Sequence, residues 1–214
     1  MTIHFGDGST LTAAPSGGAS GQQVVRAFGS NTQYTPTSGT KSITVYCVAG
    51  GGGGGDAYGD DSGEQSDFAA GAGGGGGGAC IGHYNLGSGF SATVQIGGGG
   101  AGNNGGGESK WTPAGQYTGD GTLDATGGQE ANTGNNFGGN GGGATGGFAL
   151  TGQKGNNRST SSSGGQYYQV PGNGGHAAFS FGIFGRGGHG TGPTGSFSEG
   201  GSGQNGIIVV YEFL

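Results

Sequence analysis

Charged side chains are scarce in this chain: they make up 8% of 214 residues, six Lys and Arg against 12 Asp and Glu. Six scattered cations on a net charge of −6 leave no basic footprint, which argues against recognition of nucleic acid through its phosphates. No apolar run approaches the roughly 18 residues of a spanning helix, so membrane insertion is not expected. The opening MTIHFGDGST has neither the charged start nor the apolar stretch of a secretory signal peptide. Cysteine is almost absent. Cys47 and Cys80 are too few for a disulfide framework and read as two buried thiols or a single pair. Five prolines and no strict G-x-y register exclude collagen. Hydrophobic residues, at 29%, are too few to fill an ordinary sandwich or barrel core of this length.

What the chain does have is glycine, 64 residues of it. Such a composition by default means low complexity or disorder. Disordered chains, however, are rich in charge and poor in aromatics, and here aromatics reach 9%. The expectation is an ordered chain whose core is not mainly hydrophobic. Its pivot is Ile43 to Gly55, where an apolar, β-branched strand runs into six consecutive glycines. Further runs stand at Gly73–Gly78 and Gly97–Gly100, shorter clusters recur to Gly206, and the chain closes on the apolar stretch Ile207–Phe213. The spacing is irregular, so no fixed-period solenoid is indicated.

Glycine runs can enter a core only through their backbones. In the polyproline-II conformation six residues extend about 19 Å and make no internal hydrogen bonds. Their buried N–H and C=O groups must therefore pair with neighbouring segments, and the missing Cβ lets neighbours approach from every side. Ordering each residue costs about 1–2 kcal/mol, whereas a net hydrogen bond returns about 0.5–1.5 kcal/mol. One such segment alone would lose. Many together, anchored by apolar strands, can balance. Phe90, Ala92, Val94 and Ile96 alternate with Ser91, Thr93 and Gln95 as a half-buried strand. Ile43–Ala49 and Ile207–Phe213 are apolar on both faces, as central strands are. The fold class expected is mainly irregular and β without significant α-helix: a polyglycine-II bundle capped by a small β-sheet.

Residues 1–35 have ordinary composition. Gly6-Asp7-Gly8 between Ile3–Phe5 and Ser9–Leu11 signals a hairpin. This end reads either as an attachment segment or as terminal strands capping the same domain. The division expected is 1–35 as a β or attachment segment and 36–214 as the glycine-rich domain.

Residues 30–214 resemble the glycine-rich domain of tailed-phage tail-fibre proteins and the tip adhesins of T-even-like phages. The resemblance lies in Tyr34-Thr35-Pro36 and Lys41-Ser42-Ile43-Thr44-Val45 leading into Gly50–Gly55, in Ser91-Ala92-Thr93-Val94-Gln95-Ile96 before Gly97–Gly100, and in Gly203-Gln204-Asn205-Gly206-Ile207-Ile208-Val209-Val210-Tyr211. It implies polyglycine-II helices and connecting loops at one end that bind a bacterial surface protein or glycan; the opening IHFGDGSTL separately looks like the start of many virion structural proteins, and attachment to other virion proteins is expected through residues 1–35. It also implies a place in an oligomeric virion appendage, after synthesis in the host cytoplasm without a signal peptide. A purely structural fibre or decoration component is the alternative. An ice-binding protein would need a flat, regularly repeating face, which irregular aromatic loops do not suggest.

If successive runs are antiparallel, alternate connections share an end. Residues 79–96 return to a strand, which puts 56–70 at the far end, followed on this count by 103–126, 148–163 and 191–199. The receptor-binding residues expected there are Tyr58, Asp60, Asp61, Phe68, Trp111, Tyr117, Phe148, Arg158 and Phe197. Rigid aromatics among small polar groups make an adaptable binding surface. The acidic stretch Asp56–Asp67 lacks EF-hand spacing and reads as a solvated loop rather than a Ca²⁺ site. Enzyme signatures are missing. There is no P-loop and no G-x-S-x-G elbow, and His4, His83, His176 and His189 are dispersed without a ligand cluster. A non-enzymatic protein without metal or cofactor is expected.

Overall fold

A computed structural model describes residues 3–4, 10–11, 22–57, 70–131, 137–163, 166–179, 181–191 and 199–214. Among them there is no helix; the secondary structure is all β. Strand β1 (Ile3–His4) pairs antiparallel with β2 (Thr10–Leu11), Ile3 opposite Leu11, in keeping with the hairpin expected there.

Two antiparallel sheets carry most of the rest. One has the order β12 (Phe148–Leu150), β6 (Ala79–Leu86), β5 (Ser42–Val48), β15 (Ile207–Phe213) and β3 (Gln23–Phe28), with β9 (Tyr117–Gly119) also on β6. The other has the order β11 (Ala144–Thr145), β10 (Leu123–Ala125), β8 (Ser109–Ala114), β7 (Ser91–Gln95) and β4 (Thr32–Tyr34). The cap is therefore two sheets face to face, not one small sheet. From residue 22 the N-terminal part is built into it, because β3 and β4 each edge one sheet.

Alternation explains the core. Ile43, Val45 and Cys47 of β5 point inward with Ile208 and Val210 of β15, and meet Ala92 and Val94 of β7, Trp111 of β8 and Leu123 of β10. Tyr34, Tyr84, Phe90 and Trp111 fill the centre, with Tyr34 and Trp111 ring centroids 5.0 Å apart. The opposite face of β5 and β15 is covered too. There Val48, Val209, Tyr46 and Tyr211 pack under Phe179, Phe181 and Phe184, so both strands are central and apolar on both sides. Cys47 and Cys80 are register partners across β5 and β6, both buried as free thiols.

Among the described residues ten glycine-rich runs stand above the sheets: run 1 (49–56), run 2 (70–78), run 3 (97–102), run 4 (104–108), run 5 (126–131), run 6 (138–143), run 7 (151–158), run 8 (171–176), run 9 (185–191) and run 10 (199–206). Their hydrogen bonds repeat every third residue. Ala49, Gly52 and Gly55 donate to Gly78, Gly75 and Ala72 of run 2. Gly50 and Gly53 donate to Gly107 and Asn104 of run 4, and Gly51 and Gly54 to Gln204 and Gly201 of run 10, all at 2.8–3.1 Å. The carbonyls of run 1 accept from runs 3, 5 and 9. Run 2 likewise donates to runs 5, 7 and 9 and accepts from runs 1, 6 and 8. Runs 1 and 2 are thus enclosed. The other eight surround them in chain order, each bonded to the next, and Gly203 N to Gly100 O (2.8 Å) closes the circuit from run 10 to run 3.

Glycine is required here for close approach. A Cβ on Gly51 would lie 2.0 Å from the Arg186 carbonyl oxygen, and one on Gly74 would lie 2.2 Å from that of Gly52. Residues with side chains sit where the circuit faces outward. In run 7, Gly152 and Gly155 are buried while Gln153, Lys154, Asn156 and Asn157 are exposed.

Candidate functional site

Odd-numbered runs lead away from the sheets and even-numbered runs return, so the far end gathers the run ends near Asp56, Ala70, Asn103, Ala131, Gly138, Arg158, Gly172, Gly190 and Gly200. Asp56 is buried at this end. Its Oδ1 accepts from Gly200 N (2.8 Å) and its Oδ2 from the Asn103 side-chain amide, which ties runs 1, 3 and 10 together. Asn103 turns the chain from run 3 to run 4 with φ of 57°, a left-handed conformation that Asn tolerates. The hairpin β13 (Ser159–Ser163) and β14 (Gln166–Val170) joins runs 7 and 8 at the same end.

The expected site residues divide three ways. Tyr58, Asp60, Asp61, Phe68 and Phe197 lie outside the described residues, on segments whose flanking runs end here. Arg158 is at this end, and its Nη1 donates to the Ala70 carbonyl (3.2 Å). Trp111, Tyr117 and Phe148 are at the opposite end, in the cap. Trp111 is fully buried in the core, and Tyr117 is half-buried with its ring 5.8 Å from Tyr84 and 5.7 Å from Phe90. Phe148 is exposed, but on β12 opposite Ile81. The error has one cause. Gly105–Gly107 reads as part of a loop, yet as run 4 it carries the chain back to β8, which displaces the count for 103–126 and 148–163, while the runs flanking 191–199 do end at the far end. Of the span 103–126 only its first residues are at the far end, and of 148–163 only the last.

A cleft missing from the sequence reading flanks the far end. It has a volume of about 220 Å³ and is lined by Gln129 and Glu130 of run 5, Phe137, Gly138, Gly139 and Asn140 at and in run 6, and Lys154 of run 7. Phe137 precedes run 6 and is 63% exposed, the most exposed large apolar side chain among the described residues. Lys154 Nζ stands 5.4 Å from its ring centroid. Asn140 Nδ2 donates to Gln129 Oε1 (3.0 Å), which fixes both amides. The signal that could have found these residues is the three-residue period, which turns at least one position per turn outward on a surrounding run, and in run 7 two, Gln153 with Lys154 and Asn156 with Asn157.

Among the described residues no group of three or more His, Cys, Asp and Glu is placed to hold a metal ion. His189 lies at the edge of the bundle, where its Nδ1 accepts from Gly174 N at 3.4 Å. No protein-family model matches the chain, and neither does any curated protein sequence.

Proposed function

We propose that the ten runs are polyglycine-II helices and that the protein is a phage virion fibre-tip component that recognises a bacterial surface receptor through the end farthest from its sheets. The three-residue hydrogen-bond period supports the first part, since polyproline-II geometry has three residues per turn. One observation carries the second. Five chain connections converge on one end of a scaffold whose glycines leave almost no freedom to move, while the sheets occupy the other end. A rigid element that presents several short segments at one face is how binding loops are displayed. The resemblance of residues 30–214 to tail-fibre tip domains points the same way. Binding would be non-enzymatic and need no cofactor, and attachment to the virion would fall to the N-terminal side.

The test is competition. Purified protein, preincubated with susceptible bacteria, is expected to reduce phage adsorption and to label cells in a pulldown. Exchanging residues 57–70 and 191–199 with those of a related fibre is expected to change which cells are bound. Unchanged host range after the exchange, with the fold intact by circular dichroism, would make the protein a structural spacer instead.

A further inference from the structure

We infer that the cleft between runs 5, 6 and 7 is a saccharide subsite that takes one pyranose ring against Phe137. The inference rests on the receptor-binding reading and names the chemical class of ligand at one place beside the far end. Four features carry it. The Phe137 ring is exposed on a surface otherwise made of glycine backbone and polar side chains, and the Lys154 ammonium lies over one of its faces, 5.4 Å from the centroid, so the sugar takes the other. An aromatic face is electron-rich and attracts the electropositive C–H bonds of a sugar ring, whose flat side matches it in size. The amide pair Gln129–Asn140 is held in one arrangement by its own hydrogen bond. That bond uses the Gln129 carbonyl and one Asn140 donor, leaving the Gln129 NH₂ and the Asn140 carbonyl to serve a ligand.

The third feature is charge of both signs. Lys154 is donor-only and Glu130 acceptor-only, with Glu130 Oε2 on the run-4 side of the cleft, against Gly105, and among the described residues neither forms an ion pair. A ligand whose every hydroxyl both donates and accepts can meet both kinds of group. The fourth is size. At about 220 Å³ the cleft falls below the roughly 300–1,000 Å³ of pockets that enclose drug-sized ligands. A single ring, held on one face and open on the other, suits a terminal or branch residue of a surface polysaccharide. The positions are also rigid. Gln129 N donates to Asn140 O and Gly139 N to Gly73 O, both at 2.9 Å, so the backbone that carries the side chains is locked.

The experiment uses the full chain, isotope-labelled, titrated by nuclear magnetic resonance with a hexose, an N-acetylhexosamine and a uronic acid, and with acetate and ammonium as ionic controls. Saturable shifts of the Gln129 and Asn140 side-chain amides and the Phe137 ring are expected with at least one sugar at about millimolar concentration, and not with the ionic controls. Phe137→Ala should weaken that sugar at least tenfold and Phe137→Trp should preserve it, with sheet resonances of the cap unchanged in both. No shift at these groups with any sugar, shifts with the ionic controls alone, or equal binding by Phe137→Ala would overturn the assignment. Adsorption competition separates the two readings. Competition without sugar binding removes the subsite and keeps the receptor reading, while sugar binding without competition does the reverse.

Discussion

At the scale of single residues the bundle is governed by what its glycines lack. At Gly50–Gly54, Gly71 and Gly73–Gly78 of the enclosed runs a Cβ would meet a carbonyl oxygen about 2 Å away, so a larger residue there must displace backbone, whereas at Gly55 the nearest atom is 3.3 Å away. Gly51→Ala places a methyl 2.0 Å from Arg186 O, and that backbone cannot yield without breaking its bond from Gln204 N. Overpacking of this kind costs about 1–3 kcal/mol or more. Gly98 is the control. Its Cβ would find nothing closer than Asn205 Oδ1 at 4.0 Å, and the residue is exposed. Gly98→Ala is expected to lie within about 0.5 kcal/mol of wild type, or to stabilise slightly by restricting the unfolded chain. Thermal melts of the two variants check both expectations, and equal losses would refute the close-approach account. The same rule explains why Gln153, Lys154, Asn156 and Asn157 are where they are: outward positions are the ones with room.

Among elements, the sheets contribute what the runs cannot, a hydrophobic core and a fixed base. The base includes a buried carboxylate. Glu212 of β15 accepts from Tyr34 Oη of β4 (2.9 Å), Thr37 N (3.2 Å) and Thr40 Oγ1 (3.3 Å), and Arg26 Nη1 of β3 stands 3.4 Å away. The clasp holds the N-terminal strands of both sheets to the last strand of the chain. Burial pushes the Glu212 carboxyl up, but hydrogen bonds from Thr37, Tyr34 and Arg26 outweigh it and hold the group below the usual carboxylate range. A carboxylate favoured in the fold stabilises fully above its unfolded value of about 4.3 and loses that contribution as pH falls through and below it. Glu212→Gln should therefore cost about 1–3 kcal/mol at neutral pH, and the gap to wild type should narrow between about pH 5 and pH 3. Urea titrations across that range test it; a gap independent of pH would show that charge has no part.

The elements also show what can be read from a sequence. β5, β7 and β15 were legible because their alternation, or its absence, reports which faces are covered. The runs were legible as runs, and their mutual bonding follows from backbone chemistry alone. Their order around the centre was not. Glycine has no side chain to distinguish one neighbour from another, and a three-glycine segment such as Gly105–Gly107 looks like a turn until its hydrogen bonds are seen. Trp111 misled for a related reason. Its neighbours Lys110, Thr112 and Pro113 read as a polar loop, yet Ser109, Trp111 and Leu123 all face inward from two short paired strands.

For the whole molecule, enclosure predicts a gradient of protection. The amides from Ala49 to Gly55 all donate to other runs at 2.8–3.1 Å, and run 1 is surrounded on every side. Hydrogen exchange should be slowest in runs 1 and 2 and in β5 and β15, and faster in runs 3, 4 and 8, which have an open side. Peptide-level exchange measured by mass spectrometry is the check. Equal rates for runs 1 and 8 would mean that the runs open together, as one cooperative unit.

The place of residues 199–214 has a consequence for how this fold forms. β15 lies between β5 and β3, and run 10 lies between runs 9 and 3, so residues 199–214 complete both the larger sheet and the circuit of runs. Until they leave the ribosome, β3 has no partner in its sheet, β5 has a bare edge, and one side of run 1 has no acceptors. The nascent chain can collapse but cannot reach its final arrangement piece by piece. Its pairings span most of the sequence, which slows folding. A bundle without residues 199–214 is therefore not a smaller version of this one.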